Sequence, residues 1–241
     1  FVTAAAKIGM ASTITPLAAP VIGGYLQEYL SWRMDFIILA LYSVICLGIF
    51  IYLLPETKTH SFRKKISYQR IIHSYYTILS NITFIRFFIP GLVCFVGELV
   101  YNLMSPFIMQ ENYQLSPIEY GWLSVYTISG LFIGAMISNK LAAKISISRM
   151  VLTGLILFTI AGLYMLIPRF FVHHHLFFIL AAIFIFMIGE GIVYPNTNTG
   201  ALQEFTNMAG TAGALQGGLQ MIAGGITGVL VGMIHSESQW V

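Results

Sequence analysis

Two glutamates, Glu98 and Glu190, stand well inside long apolar stretches of the sequence. An ionisable side chain in such surroundings is costly, so it normally faces a cavity or a partner. A carboxyl group in that position can take up and release a proton, which is the chemistry needed to couple proton movement to another process. A structural role as a protonated or hydrogen-bonded side chain is the alternative for each glutamate, and the residues alone leave both interpretations open.

Polar side chains accompany both glutamates at helical spacing. Tyr101 and Asn102 follow Glu98 by three and four residues, which predicts that all three share one helix face. The second glutamate has a similar polar stripe on the residues that follow it. We predict that a proton or substrate cavity is lined in these two stretches by Glu98, Tyr101, Asn102, Glu190, Tyr194 and Asn196.

Two amide side chains, Gln216 and Gln220, lie one helical turn apart in the last apolar stretch, and we add them to the predicted cavity residues. An unpaired amide in a membrane costs several kcal/mol, so each should bond a neighbouring helix or a substrate. Contact between helices is the simpler interpretation. It is favoured by Gly224, Gly228 and Gly232, whose spacing is typical of closely packed membrane helices.

The elements that must position these residues are membrane-spanning helices. The chain has 57% hydrophobic and 9% charged residues, whereas soluble domains contain about 25% charged residues. The apolar residues form blocks of about 18 to 25, the length of a helix that crosses a bilayer. Seven such blocks are predicted, at Ile8–Leu26, Phe36–Leu54, Phe87–Met109, Trp122–Ser138, Met150–Pro168, Leu176–Thr197 and Thr211–Ile234.

Basic residues between the blocks predict the orientation of the chain. They concentrate in alternate connections, which should be cytoplasmic. These residues are Lys7, Lys58, Arg63, Lys64, Lys65, Arg70, Arg86, Lys140, Lys144 and Arg149. The predicted N-terminus is therefore inside, and the connection that contains Glu28 is outside.

The long polar connection after the second block predicts a boundary between two helical bundles. We assign residues 1–55 to the end of a first bundle, 56–81 to a central cytoplasmic loop and 82–241 to a second bundle. Within the loop, apolar residues recur at helical spacing at Tyr68, Ile71, Ile72, Tyr75 and Leu79. This pattern is typical of a helix in the membrane interface, and a partly ordered linker is an equal alternative.

The first block holds Pro16 and Pro20, followed by Gly23 and Gly24. Prolines bend a helix and adjacent glycines let a neighbour approach closely, although such residues are also common in ordinary membrane helices. The segment resembles the antiporter motif in the fifth span of drug-exporting major facilitators, in which Gly-Pro is followed two residues later by Gly-Gly. Ala19 stands where the first glycine of that motif is usual.

Further segments carry the same resemblance. Trp32-Arg33 precedes the second block and Leu54-Pro55-Glu56-Thr57 follows it, as in that family. Tyr194-Pro195-Asn196 and the segment 207–215 are similar to spans ten and eleven of the bicyclomycin-resistance (Bcr/CflA) type. In this register the chain covers spans five to eleven of twelve, with the first four and the last absent.

The resemblance implies an all-α, polytopic transmembrane helix bundle with a partial major facilitator fold. It further implies proton-coupled efflux of small amphiphilic drugs or related metabolites by alternating access in the bacterial inner membrane. The expected partners are a small-molecule substrate, protons and membrane lipid, without nucleic acid, and the complete transporter is expected to be monomeric.

Other functions fit the residues less well. A retinal protein needs a lysine inside a span, and every lysine flanks one. No nucleophile and base converge in a block, so we predict no enzyme activity, no cofactor and no metal site. The run His173–His175 is expected to be a solvated loop, and both cysteines to be buried thiols. A seven-span receptor or sensor without transport activity remains the alternative.

Overall fold

The structure of the chain, a computed structural model, describes residues 2–53, 67–166 and 176–233. Every regular element within these ranges is helical, which confirms the predicted all-α fold. The helices are α1 (Val2–Tyr29), α2 (Trp32–Leu53), α3 (Tyr68–Leu79), α4 (Ile82–Phe107), α5 (Pro117–Leu141), α6 (Ile147–Leu166), α7 (Leu176–Leu202) and α8 (Ala209–Met233). A π-helical turn, Ile108–Asn112, prolongs α4, and a 3₁₀ segment, Gln203–Met208, joins α7 to α8.

Each of the seven predicted apolar blocks lies largely within one of these helices, and most helices continue beyond the apolar core of the block. The amphipathic pattern in the predicted central loop corresponds to α3. Of the two alternatives, the helix is therefore the one observed for Tyr68–Leu79. The run His173–His175 lies outside the described residues.

Five described stretches are long and apolar enough to cross a membrane: Trp32–Leu53, Ile82–Asn112, Pro117–Leu141, Ile147–Leu166 and Leu176–Met233. The last of them contains both α7 and α8. Helix α1 is not among them, and its role as a span remains a prediction. Helix α2 has no buried residue and exposes apolar side chains along its whole length, which suits contact with lipid tails.

Local sequence explains where two helices begin. Asn81 caps α4 by accepting a hydrogen bond from the Phe84 N–H at 3.0 Å, and its amide donates to Glu204 at 2.8 Å. At α5, Ser116 and Glu119 form a reciprocal capping box, and Pro117 occupies the first helical position. The start of α5 is therefore strongly specified by its own sequence.

Helix α7 makes its most extensive contacts with α5 and α6 and also packs against α4. Glycines bring α5 and α7 together. A Cβ atom at Gly134 would overlap the Ile188 carbonyl oxygen, and one at Gly191 would overlap the Leu131 carbonyl oxygen. Because these neighbours are backbone atoms, the two helices pack at this separation only with glycine at both positions.

The contact between α1 and α5 joins the first two helices to the rest of the structure. It also depends on glycine. A Cβ atom at Gly24 would overlap the Pro117 carbonyl oxygen, and one at Gly121 would lie 2.7 Å from the Pro20 carbonyl oxygen. Each helix therefore presents a glycine to the backbone of the other.

Candidate functional site

The two glutamates predicted from sequence lie together in the structure. Glu98 comes from α4 and Glu190 from α7. These helices run in opposite directions, since Gly91 faces Thr197 and Gly97 faces the Phe186 ring. The two side chains reach toward each other between these helices, and their carboxyl groups are close enough to interact directly.

The surroundings of this carboxyl pair are apolar and poor in hydrogen-bond donors. Glu190 is 2% exposed, and its Oε2 atom has no hydrogen-bond partner among the described residues. Cys94 is fully buried one helical turn before Glu98 and lies near both carboxyl groups. Glu98 is the only charged side chain within the described ranges that acts on Glu190.

Adjacent carboxylates repel each other strongly where the dielectric is low and no cation compensates them. A proton shared between the two carboxyl groups removes that repulsion. The carboxyl pair is therefore suited to binding and releasing a proton. The described residues contain no group of three or more His, Cys, Asp or Glu side chains arranged to hold a metal ion.

The residues predicted to share a face with Glu98 have different surroundings. The Tyr101 hydroxyl is 3.1 Å from the Thr127 hydroxyl of α5 and lines a cavity. Asn102 is exposed on the surface of the bundle. Neither side chain has a described hydrogen bond to Glu98.

The cavity beside Tyr101 measures about 250 Å³ and lies between α4, α6 and α7. Methionine, isoleucine and small residues form most of its wall. Phe186 lines it and stacks on Phe158 of α6, with ring centroids 4.6 Å apart. Glu98 and Glu190 are not among its lining residues. The apolar cavity and the carboxyl pair are thus distinct places, and Phe186 lies one helical turn from Glu190.

The polar residues that follow Glu190 divide between the surface and helix contacts. Tyr194 is 37% exposed. Asn196 is buried, and its amide donates to Ser138 of α5 and to the Ile192 carbonyl oxygen, both at 2.7 Å. In this structure Asn196 therefore joins α7 to α5.

Both glutamines of α8 are buried. Gln216 donates to the Asn198 side chain of α7, while its Oε1 atom has no partner in the described structure. The Gln220 Nε2 atom likewise has none there. One turn farther along α8, Gly224 faces Phe95 and Leu99 of α4, so Gln220 lies near the level of Cys94 and the carboxyl pair.

Within the antiporter-type motif, only part of the predicted set makes close contacts. Gly24 is buried against Pro117, and Pro20 contributes its carbonyl oxygen to the contact with Gly121. A Cβ atom added at Gly23 would have no neighbour within 4 Å, and Pro16 is exposed.

Sequence reasoning missed the partners of these residues. Ser138, Asn198 and Thr127 each bond a predicted site residue from another helix. Serine and threonine occur widely in membrane helices, so the types of Ser138 and Thr127 carried little signal. The spacing of Thr127 and Ser138 from the glycines of α5 was the one available indication, since it puts them on the packed face.

Almost the whole chain, residues 2–240, matches the family model of the Major Facilitator Superfamily. This chain belongs to the Major Facilitator Superfamily. Membership supports a transporter rather than an enzyme, and the apolar helices and bacterial relatives place the chain in the inner membrane as a multi-pass protein.

Curated relatives within the superfamily include drug-resistance proteins. Multidrug resistance protein D of Escherichia coli is 28% identical over 235 residues, which are 96% of this chain and 57% of the relative. The bicyclomycin resistance protein homolog of Haemophilus influenzae is 20% identical over 93% of this chain and 56% of its own length. The chloramphenicol resistance protein CraA of Acinetobacter baumannii is 22% identical over 84% of this chain and 49% of its own length. The chain spans about half the length of these relatives.

Proposed function

We propose that this chain forms the fifth to eleventh spans of a proton-coupled exporter that removes small amphiphilic drugs or related metabolites by alternating access. In this proposal α1 and α2 are the last two helices of the first bundle, and α4 to α8 form most of the second bundle. The register agrees with the share of the relatives that the chain covers. The names of three relatives, which refer to multidrug, bicyclomycin and chloramphenicol resistance, support the substrate class.

The observation that carries the proposal is the carboxyl pair between α4 and α7. A superfamily transporter moves one helical bundle against another around a site near the middle of the membrane. A protonatable group buried at such a place changes its charge when water reaches it from one side. In this scheme Glu98 is the more accessible partner, and Glu190 holds the proton with it from across the site.

The test uses the complete transporter in cells exposed to labelled drugs and iron chelators, with and without an uncoupler. Active export gives low accumulation of one compound class, and the uncoupler abolishes the difference. If no compound is excluded, or if exclusion is insensitive to the uncoupler, the proposal of proton-coupled export is wrong.

The contribution of the carboxyl pair is then tested with Glu98→Gln and Glu190→Gln. Glu111→Gln is the matched control, because Glu111 is an exposed glutamate in the π-helical turn after α4. We expect the first two variants to lose drug exclusion and its dependence on external pH, and the control to keep both. Normal export by Glu98→Gln with an unchanged pH dependence would refute the assignment.

A further expectation is that the 241-residue chain does not transport by itself, because alternating access requires helices from two complete bundles around the cavity. The purified chain in lipid vesicles should therefore show no substrate uptake above that of empty vesicles. Gradient-driven uptake by this chain would show that the proposed division into bundles is wrong.

A further inference from the structure

The first turn of α5 has an unusual set of hydrogen bonds. A helix begins with backbone N–H groups that have no partner inside the helix. At α5, the Ser116 N–H donates to Glu119 Oε2 at 2.8 Å, and the Glu119 N–H donates to Ser116 Oγ at 3.2 Å. The Tyr120 N–H already reaches the Ser116 carbonyl oxygen at 2.9 Å. Pro117 has no N–H to satisfy, so one donor remains, that of Ile118.

That last donor is satisfied from another helix. The Ile118 N–H donates to Glu28 Oε2 at 3.2 Å, and Glu28 belongs to the final turn of α1. The sequence of α5 therefore completes all of its own cap except one position, which a carboxylate from α1 fills. A negative charge at a helix N-terminus also interacts favourably with the helix dipole, so the contact combines a charge-assisted hydrogen bond with that attraction.

The contact lies at one end of the α1–α5 interface. Glu28 is one turn beyond Gly24, and Ile118 is next to Pro117, whose carbonyl oxygen faces Gly24. The glycine contacts set the separation of the helices, and the Glu28 contact joins their ends on the predicted outer side. This end of the interface is closed in the structure.

We propose that Glu28 is a positioning residue of the transport cycle: it holds the outer ends of α1 and α5 together and releases α5 when the outer side opens. The proposal rests on the transport function for its role in the cycle, because α1 and α5 then belong to different bundles that must separate there. The glycine contacts hold the two backbones close by packing and involve no charged group. Glu28 adds a contact that water can replace, since its side chain is exposed.

The separation of the two helices is measurable without a transport assay. Spin labels are placed in the complete transporter, on the exposed residues Gln27 of α1 and Trp122 of α5. The native cysteines are replaced first, with Cys46 changed to Ser and Cys94 to Ala. Double electron–electron resonance in lipid nanodiscs then gives the populations with short and long distances. The variants are Glu28→Lys, which reverses the charge, and Glu28→Gln, which keeps an oxygen acceptor but removes the charge.

Glu111→Lys is the matched control. It makes the same charge change at an exposed glutamate on the same end of the bundle, outside the α1–α5 contact. We expect the ratio of short to long distances to fall about tenfold in Glu28→Lys and about threefold in Glu28→Gln, and to stay constant in Glu111→Lys. Because Glu28→Gln is nearly isosteric, it tests the idea even if charge reversal prevents folding.

Unchanged distances in both Glu28 variants would overturn the proposal, as would an equal shift in Glu28→Lys and Glu111→Lys. The outcome is independent of the drug exclusion assay. If export fails in cells but the distances shift as expected, the contact stands and the transport function falls. If export is confirmed and the distances do not change, only the role of Glu28 is refuted.

Discussion

The α1–α5 contact and the α4–α7 contact both bring helices close through glycine, but the glycines face different atoms. At α1–α5, a Cβ on Gly24 or Gly121 would meet backbone atoms of the opposite helix. At α4–α7, a Cβ on Gly97 would meet the tip of the Phe186 ring, and one on Gly91 would meet the Thr197 side chain. Backbone atoms move only with their helix, whereas side chains can rotate. The first contact is therefore rigid and the second adaptable.

The adaptable contact is also the one that contains the carboxyl pair. A site that binds a proton, and changes charge when it does so, benefits from neighbours that can repack. A contact that closes one end of a transporter benefits from a fixed separation. The two kinds of glycine contact thus match the two roles that we propose for these regions.

The largest expected effect is that of Gly121→Ala. The new Cβ would lie 2.7 Å from the Pro20 carbonyl oxygen and 3.1 Å from the Val21 Cα atom, so α1 must move as a whole. We expect a loss of roughly 2–3 kcal/mol in the free energy of unfolding, measured by titration with a denaturing detergent. Gly225→Ala is the control, since nothing lies within 4 Å of its added Cβ. Equal stability of the two variants would remove the basis for calling the contact rigid.

The next effect concerns the carboxyl pair in the complete transporter. Glu98→Gln should lower uncoupler-sensitive drug exclusion about tenfold or more, equivalent to about 1.4 kcal/mol, because the amide cannot exchange a proton. The stability of this variant should remain close to that of the parent, which separates a functional glutamate from a structural one. If Glu98→Gln lowers the stability and the fraction of the protein that remains folded exports normally, Glu98 is a structural residue.

Gly97→Ala is expected to have a smaller effect, and it tests the adaptability of the α4–α7 contact. Its Cβ would lie 2.7 Å from the Phe186 ring, which can shift toward the neighbouring cavity. The cost should be below about 1 kcal/mol, because alanine also favours the helix by a similar amount over glycine. The measurement is the same detergent titration. A loss as large as that of Gly121→Ala would show that the α4–α7 contact is as rigid as the other.

Ser138→Ala should have the smallest effect. It removes one of two acceptors of the Asn196 amide, and the Ile192 carbonyl oxygen remains. A hydrogen bond between membrane helices contributes about 0.6 kcal/mol on average, so the midpoint of unfolding should shift only slightly. If this variant loses more stability than Gly97→Ala, polar contacts rather than packing dominate the interactions among α4, α5 and α7.

The sequence predicted the helices well, because a bilayer demands long apolar blocks and leaves few other solutions. It also drew attention to Glu98 and Glu190, since a carboxyl group in an apolar block is rare. It could not show that they meet, because their proximity depends on the packing of α4 against α7 about 90 residues apart in the sequence. Two members of the helical stripe that begins at Glu98 have different surroundings: the Tyr101 hydroxyl lies beside Thr127, and Asn102 is exposed. Their place in a proton or substrate cavity stays a prediction.

For the α1–α5 contact, the sequence indicated the packing residues but not the polar one. The proline and glycine pattern near Gly24 indicated a close approach, but not which helix approaches. In the sequence Glu28 served only to mark the outer connection, because a glutamate at a helix end beside a loop is ordinary. Its relation to α5 depends on counting the N–H groups of the first turn, which requires the three-dimensional structure.

One amide atom of Gln216 and one of Gln220 have no hydrogen-bond partner in the described part of the chain, and this affects the hydration of α8. Buried polar atoms without protein partners are the usual positions of internal water, which forms two to four hydrogen bonds with them. Gln216 lies beside Asn198 toward the end of α7, and Gln220 lies deeper, near the level of the carboxyl pair. We expect an internal water molecule at each of these two atoms, so the contacts of α8 contain more water than its apolar composition suggests.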